Sequence, residues 1–156
     1  MALVGRHLNK IDKKGRVSIP KPFRTAMIAE GYSGVYIFPS FKAQALEGSG
    51  EVFIQRLTDS LEDNFDLFSD DQEDLASITL ERTHQLPFDP EGRVSLPLEL
   101  RQHTGLVNEA LFVGRGSRFR IWVPEVYELY AASQLDRAKA RGATLPLSPS
   151  KPDRGA

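Results

Sequence analysis

Cysteine is absent from this chain, and with it every disulfide, thiol nucleophile and thiolate metal ligand. That absence fits a reducing compartment, and a cytoplasmic location is expected. Histidine is scarce: His7, His84 and His103 are the only three, and no two are spaced like the ligands of a helical metal site. They read as surface or packing residues. No apolar run approaches the length that crosses a bilayer, and the N-terminus lacks a signal-peptide core, so no membrane association is expected. A Gly-x-Ser-x-Gly nucleophile elbow is missing, and Gly114-Arg115-Gly116 is too short for a phosphate loop and reads as a hairpin turn. The run Asp70-Asp71-Gln72-Glu73-Asp74 lacks calcium-loop spacing and suits a helix N-terminus, where the dipole favours carboxylates. With these parts missing, no catalytic residue, metal, cofactor or small-molecule substrate is expected. The chain does not read as an enzyme.

Net charge is also nearly absent, at −1, but this is an average over unlike segments. Residues 1–43 hold eight Lys/Arg against two acids, whereas residues 44–82 hold two against eleven. Residues 83–123 and 124–156 each hold five bases and four acids. A basic N-terminal third beside an acidic middle points either to a polyanion-binding face or to ordinary solvated surfaces.

What the chain does have is a duplication. Ile11-Asp12-Lys13-Lys14-Gly15-Arg16-Val17-Ser18-Ile19-Pro20-Lys21-Pro22-Phe23-Arg24 aligns without a gap on residues 88–101, 77 positions later, and seven of the fourteen pairs are identical. The shared residues are Asp, Gly, Arg, Val, Ser, Pro and a final Arg. Two half-units of about 70 residues are each marginal in size for an independent core. The halves are therefore expected to share a core or to oligomerise.

Each repeat reads as a hairpin followed by a helix. Leu8–Ile11 and Val17–Ile19 alternate apolar and polar residues, as half-buried strands do. Asp12-Lys13-Lys14-Gly15 between them is type I turn chemistry, with glycine taking the left-handed position. Pro20 ends the strand, and Pro22 opens a helix toward Gly31. Val35–Phe38 then reads as a buried strand. In the second copy Asp89-Pro90-Glu91-Gly92 is the turn, a short helix follows Pro97 and ends at Gly105, and strands are predicted at 111–113 and 119–123. Helices are predicted at 52–61, at 74–80, and from Glu125 to about Arg137, where Val126, Leu129, Tyr130 and Leu135 are expected to cover the sheet. The tail from Arg141 is rich in Pro, Ser and Gly and reads as disordered.

The turns are the remaining candidates for chemistry. Lys13 and Lys14 sit at the first tip and Arg16 follows Gly15, so cations concentrate on one hairpin. Such a hairpin suits phosphates, and an arginine beside a fixed turn can fork onto a guanine edge in the major groove. The plain alternative is a common Asp-x-x-Gly turn whose Asp and Arg bridge each other. A self-assembling scaffold without nucleic acid and a small-molecule-binding barrel also stay open.

The Asp-x-x-Gly-Arg turn followed by strand, Pro and helix, twice in about 150 residues, resembles the MraZ family of bacterial transcriptional regulators. The similarity runs from about Leu3 to Leu135 and includes residues 100–106 and Phe119-Arg120-Ile121-Trp122. It implies an α+β fold: duplicated β-hairpin/helix units of the AbrB-like swapped-hairpin type forming a shared small β-barrel flanked by helices. The divisions implied are 1–75 as the first repeat with its acidic helical connector, 76–140 as the second, and 141–156 as the tail. It further implies a repressor that binds double-stranded DNA at direct repeats upstream of the division and cell-wall gene cluster. Such a protein acts as a nucleoid-associated ring of eight or twelve identical subunits. Carried over by position, Arg16, Lys14, Lys13 and Arg93 are the expected DNA contacts, with Asp12, Gly15, Asp89 and Gly92 orienting the turns. Pro90 and Glu91 depart from the cationic first tip, so the second turn is expected to contribute less.

Overall fold

The computed structural model describes residues 2–151. The first repeat contributes β1 (Arg6–Lys10), β2 (Arg16–Ser18), α1 (Lys21–Ala29), β3 (Gly34–Pro39), β4 (Leu46–Ser49) and α2 (Glu51–Asp63). After α3 (Asp70–Ile78) and a 3-10 turn at Leu80–Arg82, the same sequence of elements recurs. It runs β5 (His84–Pro87), β6 (Arg93–Ser95), α4 (Leu98–Thr104), β7 (Glu109–Gly114), β8 (Phe119–Trp122) and α5 (Pro124–Arg141). The duplication therefore extends well past the fourteen aligned residues. The α+β class that the resemblance implies is the class observed.

Strand pairing is where the repeats meet. Six antiparallel strands form one sheet in the order β1-β7-β8-β4-β3-β5, while β2 and β6 form a separate two-stranded ribbon. Exchanging each strand for its counterpart reverses this order onto itself, so the fold has an internal pseudo-twofold axis. The axis runs between β4 and β8 and through the ribbon, where Val17 faces Val94. The expected hairpin pairing of β1 with β2 is not found. β1 pairs with β7 and β2 with β6, and only an isolated bridge, Ile11 to Val17, joins the arms of the first turn.

Nor is the expected barrel closed: β1 and β5 are free edges of the sheet rather than partners. The return strands are three residues long, and each is followed within two residues by a proline, Pro20 or Pro97. A proline offers no N–H to a ladder, so pairing stops before it can run round to the opposite edge.

Between sheet, ribbon and helices lies one hydrophobic core drawn from both halves, including Val17, Ile19, Phe23, Val35, Ile37, Val94, Leu100, Phe112, Phe119 and Ile121. Phe23 packs against Phe119 with ring centroids 5.2 Å apart, joining α1 of the first repeat to β8 of the second. A strand absent from the sequence reading, β4, is fully buried although it reads Leu-Glu-Gly-Ser. Its Glu47 meets Arg120 on β8: Nε of Arg120 donates to both carboxylate oxygens, at 2.8 and 3.1 Å. Burial works against the Arg120 charge, and the Glu47 carboxylate outweighs it, holding the guanidinium more firmly protonated. The predicted helix at 74–80 begins earlier, because the Ser69 side chain accepts from the Gln72 amide and Asp70, Asp71 and Glu73 fill the first turn.

α5 starts as predicted and runs on to Arg141, but Leu129 and Leu135 lie exposed on its outer side rather than on the sheet. Of the expected residues Tyr130 does cover the sheet, and it is joined by Tyr127 against the buried Trp122. Residues 143–151 carry no helix or strand, and the end of the expected disordered tail, 152–156, lies outside the described residues.

Candidate nucleic-acid interface

Each turn is built by one aspartate. Oδ1 of Asp12 accepts from the backbone amides of Lys14 and Arg16, both at 2.9 Å, and Oδ2 accepts from Nε of Arg16 at 2.7 Å. The Gly15 amide closes the turn onto the Asp12 carbonyl at 3.0 Å. Asp89 repeats the arrangement with Glu91 and Arg93, at 2.9, 2.9 and 2.8 Å. These bonds hold both carboxyls below the ordinary aspartate value. The amide of Arg16 or Arg93 is the largest cause, partial desolvation opposes it, and the guanidinium adds to it. An aspartate four residues before an arginine thus fixes both the backbone and the direction of the guanidinium.

Gly15 and Gly92 answer a second demand. Both have positive φ, 80° and 78°. A Cβ on Gly15 would lie 3.0 Å from the Arg101 guanidinium, and one on Gly92 would lie 2.6 Å from Nε of Arg24. Each repeat's helix therefore lays its arginine across the other repeat's turn. Arg101 Nε also donates to the Leu96 carbonyl at 3.1 Å, and Arg24 donates to the Ile19 carbonyl. Crosswise backbone bonds complete the lock, from the Ile19 amide to the Gly92 carbonyl and from the Leu96 amide to the Gly15 carbonyl, at 3.2 and 2.9 Å. Arg24 and Arg101 were visible in the sequence as the last identical pair, but nothing local signalled that they cross over.

The ribbon register decides what the arginines share. Arg16 faces Ser95 and Ser18 faces Arg93, so these four side chains stand on one face while Val17 and Val94 are buried on the other. The two turns therefore form one continuous surface rather than two separate fingers. Asp12 lies against both arginines, reaching Nη1 of Arg93 at 4.0 Å as well as Nε of Arg16. The arginines are not equivalent. Among the described residues, Arg16 has one carboxylate partner, Asp12, and its side chain is 34 % exposed. Arg93 has three, Asp89, Glu91 and Asp12, and is 25 % exposed. Its charge is held correspondingly firmly, first by the Asp89 hydrogen bond. Lys13 and Lys14 are exposed at the first tip, where the second tip has Pro90 and Glu91. No group of His, Asp and Glu able to hold a metal ion occurs among the described residues, and none of their helices is long and apolar enough to cross a membrane.

Fold and surface together define a class: an internally duplicated α+β protein whose strands pair across its two repeats, with a charged ribbon on its pseudo-twofold axis. Comparison with known proteins narrows this. Residues 79–145 match the family model described as "MraZ protein, putative antitoxin-like". A protein of Parvibaculum lavamentivorans named transcriptional regulator MraZ is 43 % identical over 134 residues, covering 85 % of this chain and 83 % of that protein. Proteins of the same name from Pelagibacter ubique and Rickettsia bellii are 39 % and 37 % identical, each over 88 % of this chain and 88 % and 91 % of theirs. The chain belongs to the MraZ family.

Proposed function

We propose that this protein is a sequence-specific regulator of transcription that grips double-stranded DNA with the β2–β6 ribbon. The observation that carries the reading is the placement of Arg16 and Arg93 on one solvent-facing side of a two-stranded ribbon, the kind of element a major groove admits. Their Nε atoms are committed to Asp12 and Asp89, which aims the guanidinium groups rather than leaving them to wander. Arg16 carries the base contact and Lys13 and Lys14 meet phosphates, while Arg93, ringed by three carboxylates, contributes less. The names of the relatives support the regulatory role. Further following the family resemblance, the target is direct repeats upstream of the division and cell-wall gene cluster. The protein acts there as a nucleoid-associated repressor, in rings of eight or twelve subunits.

The test is a mobility shift on the upstream region of the protein's own gene at low and high salt. Specific binding that weakens with salt is expected, because neutralised phosphates release counterions. Arg16→Ala is expected to lower specific affinity by about tenfold or more, and Arg93→Ala by less. Unchanged affinity in a folded Arg16→Ala protein would remove that residue from the interface. No shift even at low salt would favour a self-assembling scaffold instead.

A further inference from the structure

One strongly charged surface takes no part in the ribbon. Lys42 from the loop after β3, Arg115 and Arg118 from the β7–β8 turn, Arg120 on β8 and Arg137 on α5 converge on a cleft of about 510 Å³. Among the described residues no carboxylate lines it. Local backbone chemistry sets each cation in place. The Arg115 amide donates to the Arg118 carbonyl at 2.8 Å, across a turn in which Gly116 takes φ 88°. The Ser40 hydroxyl accepts from the amides of Lys42 and Ala43 at 3.3 and 3.2 Å, which fixes the loop. Tyr130, Gln134 and Arg137 fall four and three residues apart, on one face of α5. Arg120 forms a rigid floor, 7 % exposed and bonded to Glu47.

Like charges gathered this closely repel one another, and the chain supplies little to offset them. Arg120 and Arg118 share the Glu47 carboxylate, at 2.8 and 3.6 Å. Among the described residues no ion pair involves Lys42, Arg115 or Arg137. The arrangement suits an anion that carries several charges. Tyr130 adds a donor, because its oxygen accepts from Nη1 of Arg120 at 3.3 Å and its own proton is left to give. An adjoining cavity shares Lys42, Arg118 and Arg120 and adds two aromatic rings. Phe41 is 67 % exposed, and the Arg118 guanidinium lies 5.4 Å from the ring centroid of Phe53. Rings beside cations let a base stack while its phosphates meet arginines. We propose that this cleft binds a nucleoside polyphosphate, with its phosphates among Lys42, Arg115, Arg118 and Arg137 and its base against Phe41. The volume is that of a small-molecule site rather than of a groove for a duplex. The site also lies on the far side of the sheet from the ribbon. Phe119 and Ile121 of β8 join Val17 and Val94 in the core, and alternation turns Arg120 and Trp122 the other way, beneath α5. The proposal therefore stands apart from the DNA reading above.

The test is calorimetric titration of the full chain, without DNA, with ATP, tripolyphosphate, AMP and orthophosphate. ATP is expected to saturate a single site per chain, tripolyphosphate to bind more weakly, and AMP and orthophosphate more weakly still. Arg115→Gln with Arg137→Gln is expected to weaken ATP and tripolyphosphate by about a hundredfold, since two charge-assisted contacts are lost. Phe41→Ser is expected to weaken ATP by about tenfold and to leave tripolyphosphate unchanged, since only the stacking partner is removed. All three side chains are exposed, so circular dichroism should stay native. A parent that binds neither ATP nor tripolyphosphate, or a cleft variant that binds both as the parent does, would overturn the proposal. So would a cleft variant whose sedimentation mass changes, or one that loses affinity for duplex DNA while the parent ignores ATP. Equal ATP affinity in the parent and in Phe41→Ser would overturn the nucleoside assignment. Arg16→Ala should bind ATP like the parent while losing DNA affinity, so the cleft and the ribbon fail separately.

Discussion

At the scale of single residues, each turn depends on an aspartate that serves several donors and a glycine that makes room for an arginine from the other repeat. Gly15→Ala and Gly92→Ala should each destabilise the protein by roughly 1–3 kcal/mol, since a side chain must adopt positive φ. The larger loss is expected at Gly92, where the added carbon meets Arg24 more closely; thermal melting followed by circular dichroism would measure both. The aspartates make stability depend on pH with a definite sign. Their folded values are depressed below the unfolded 3.8, so their contribution is full above that pH and is lost as pH falls through the folded values. A double variant, Asp12→Asn with Asp89→Asn, should be less stable than the parent at pH 6, and the gap should narrow below about pH 3.8. A gap that stayed constant to pH 2 in urea titrations would show that these carboxylates do not act through ionisation.

The elements show what a single sequence makes legible. Type I turns, proline-stopped strands and the glycine-ended α4 follow from local chemistry, and the sequence placed all of them. Strand β4 does not, because Glu47, Gly48 and Ser49 read as a loop until Arg120, seventy-three residues away, supplies the charge that permits burial. Removing that partner strands a buried guanidinium. Glu47→Ala is therefore expected to cost about 3 kcal/mol, read as a lower midpoint in chemical denaturation. Pairing partners were equally illegible. β2 carries the same alternation whether it pairs with β1 or β6, and only tertiary packing of Val17 against Val94 chooses. The candidate site was readable as a set of residues, Asp12, Lys13, Lys14, Arg16 and their counterparts. Its union into one surface was not, nor was the burden of carboxylates around Arg93.

For the whole molecule, the pseudo-twofold axis makes neither repeat self-sufficient. β1 needs β7, β5 needs β3, and the ribbon takes one strand from each half. Fragments 1–75 and 76–140 should each lack a cooperative melt as monomers, yet regain the native spectrum when mixed. A first fragment that folds alone as a monomer would show that the shared core is dispensable.

This interdependence also sets a timetable for biosynthesis. A nascent chain can form the β3–β4 hairpin early, but β2 finds no strand partner until residues 93–95 have left the ribosome, and β1 none until 109–114 have. Native structure must await nearly complete translation, with the acidic connector emerging midway as a soluble, self-repelling stretch between two waiting edges.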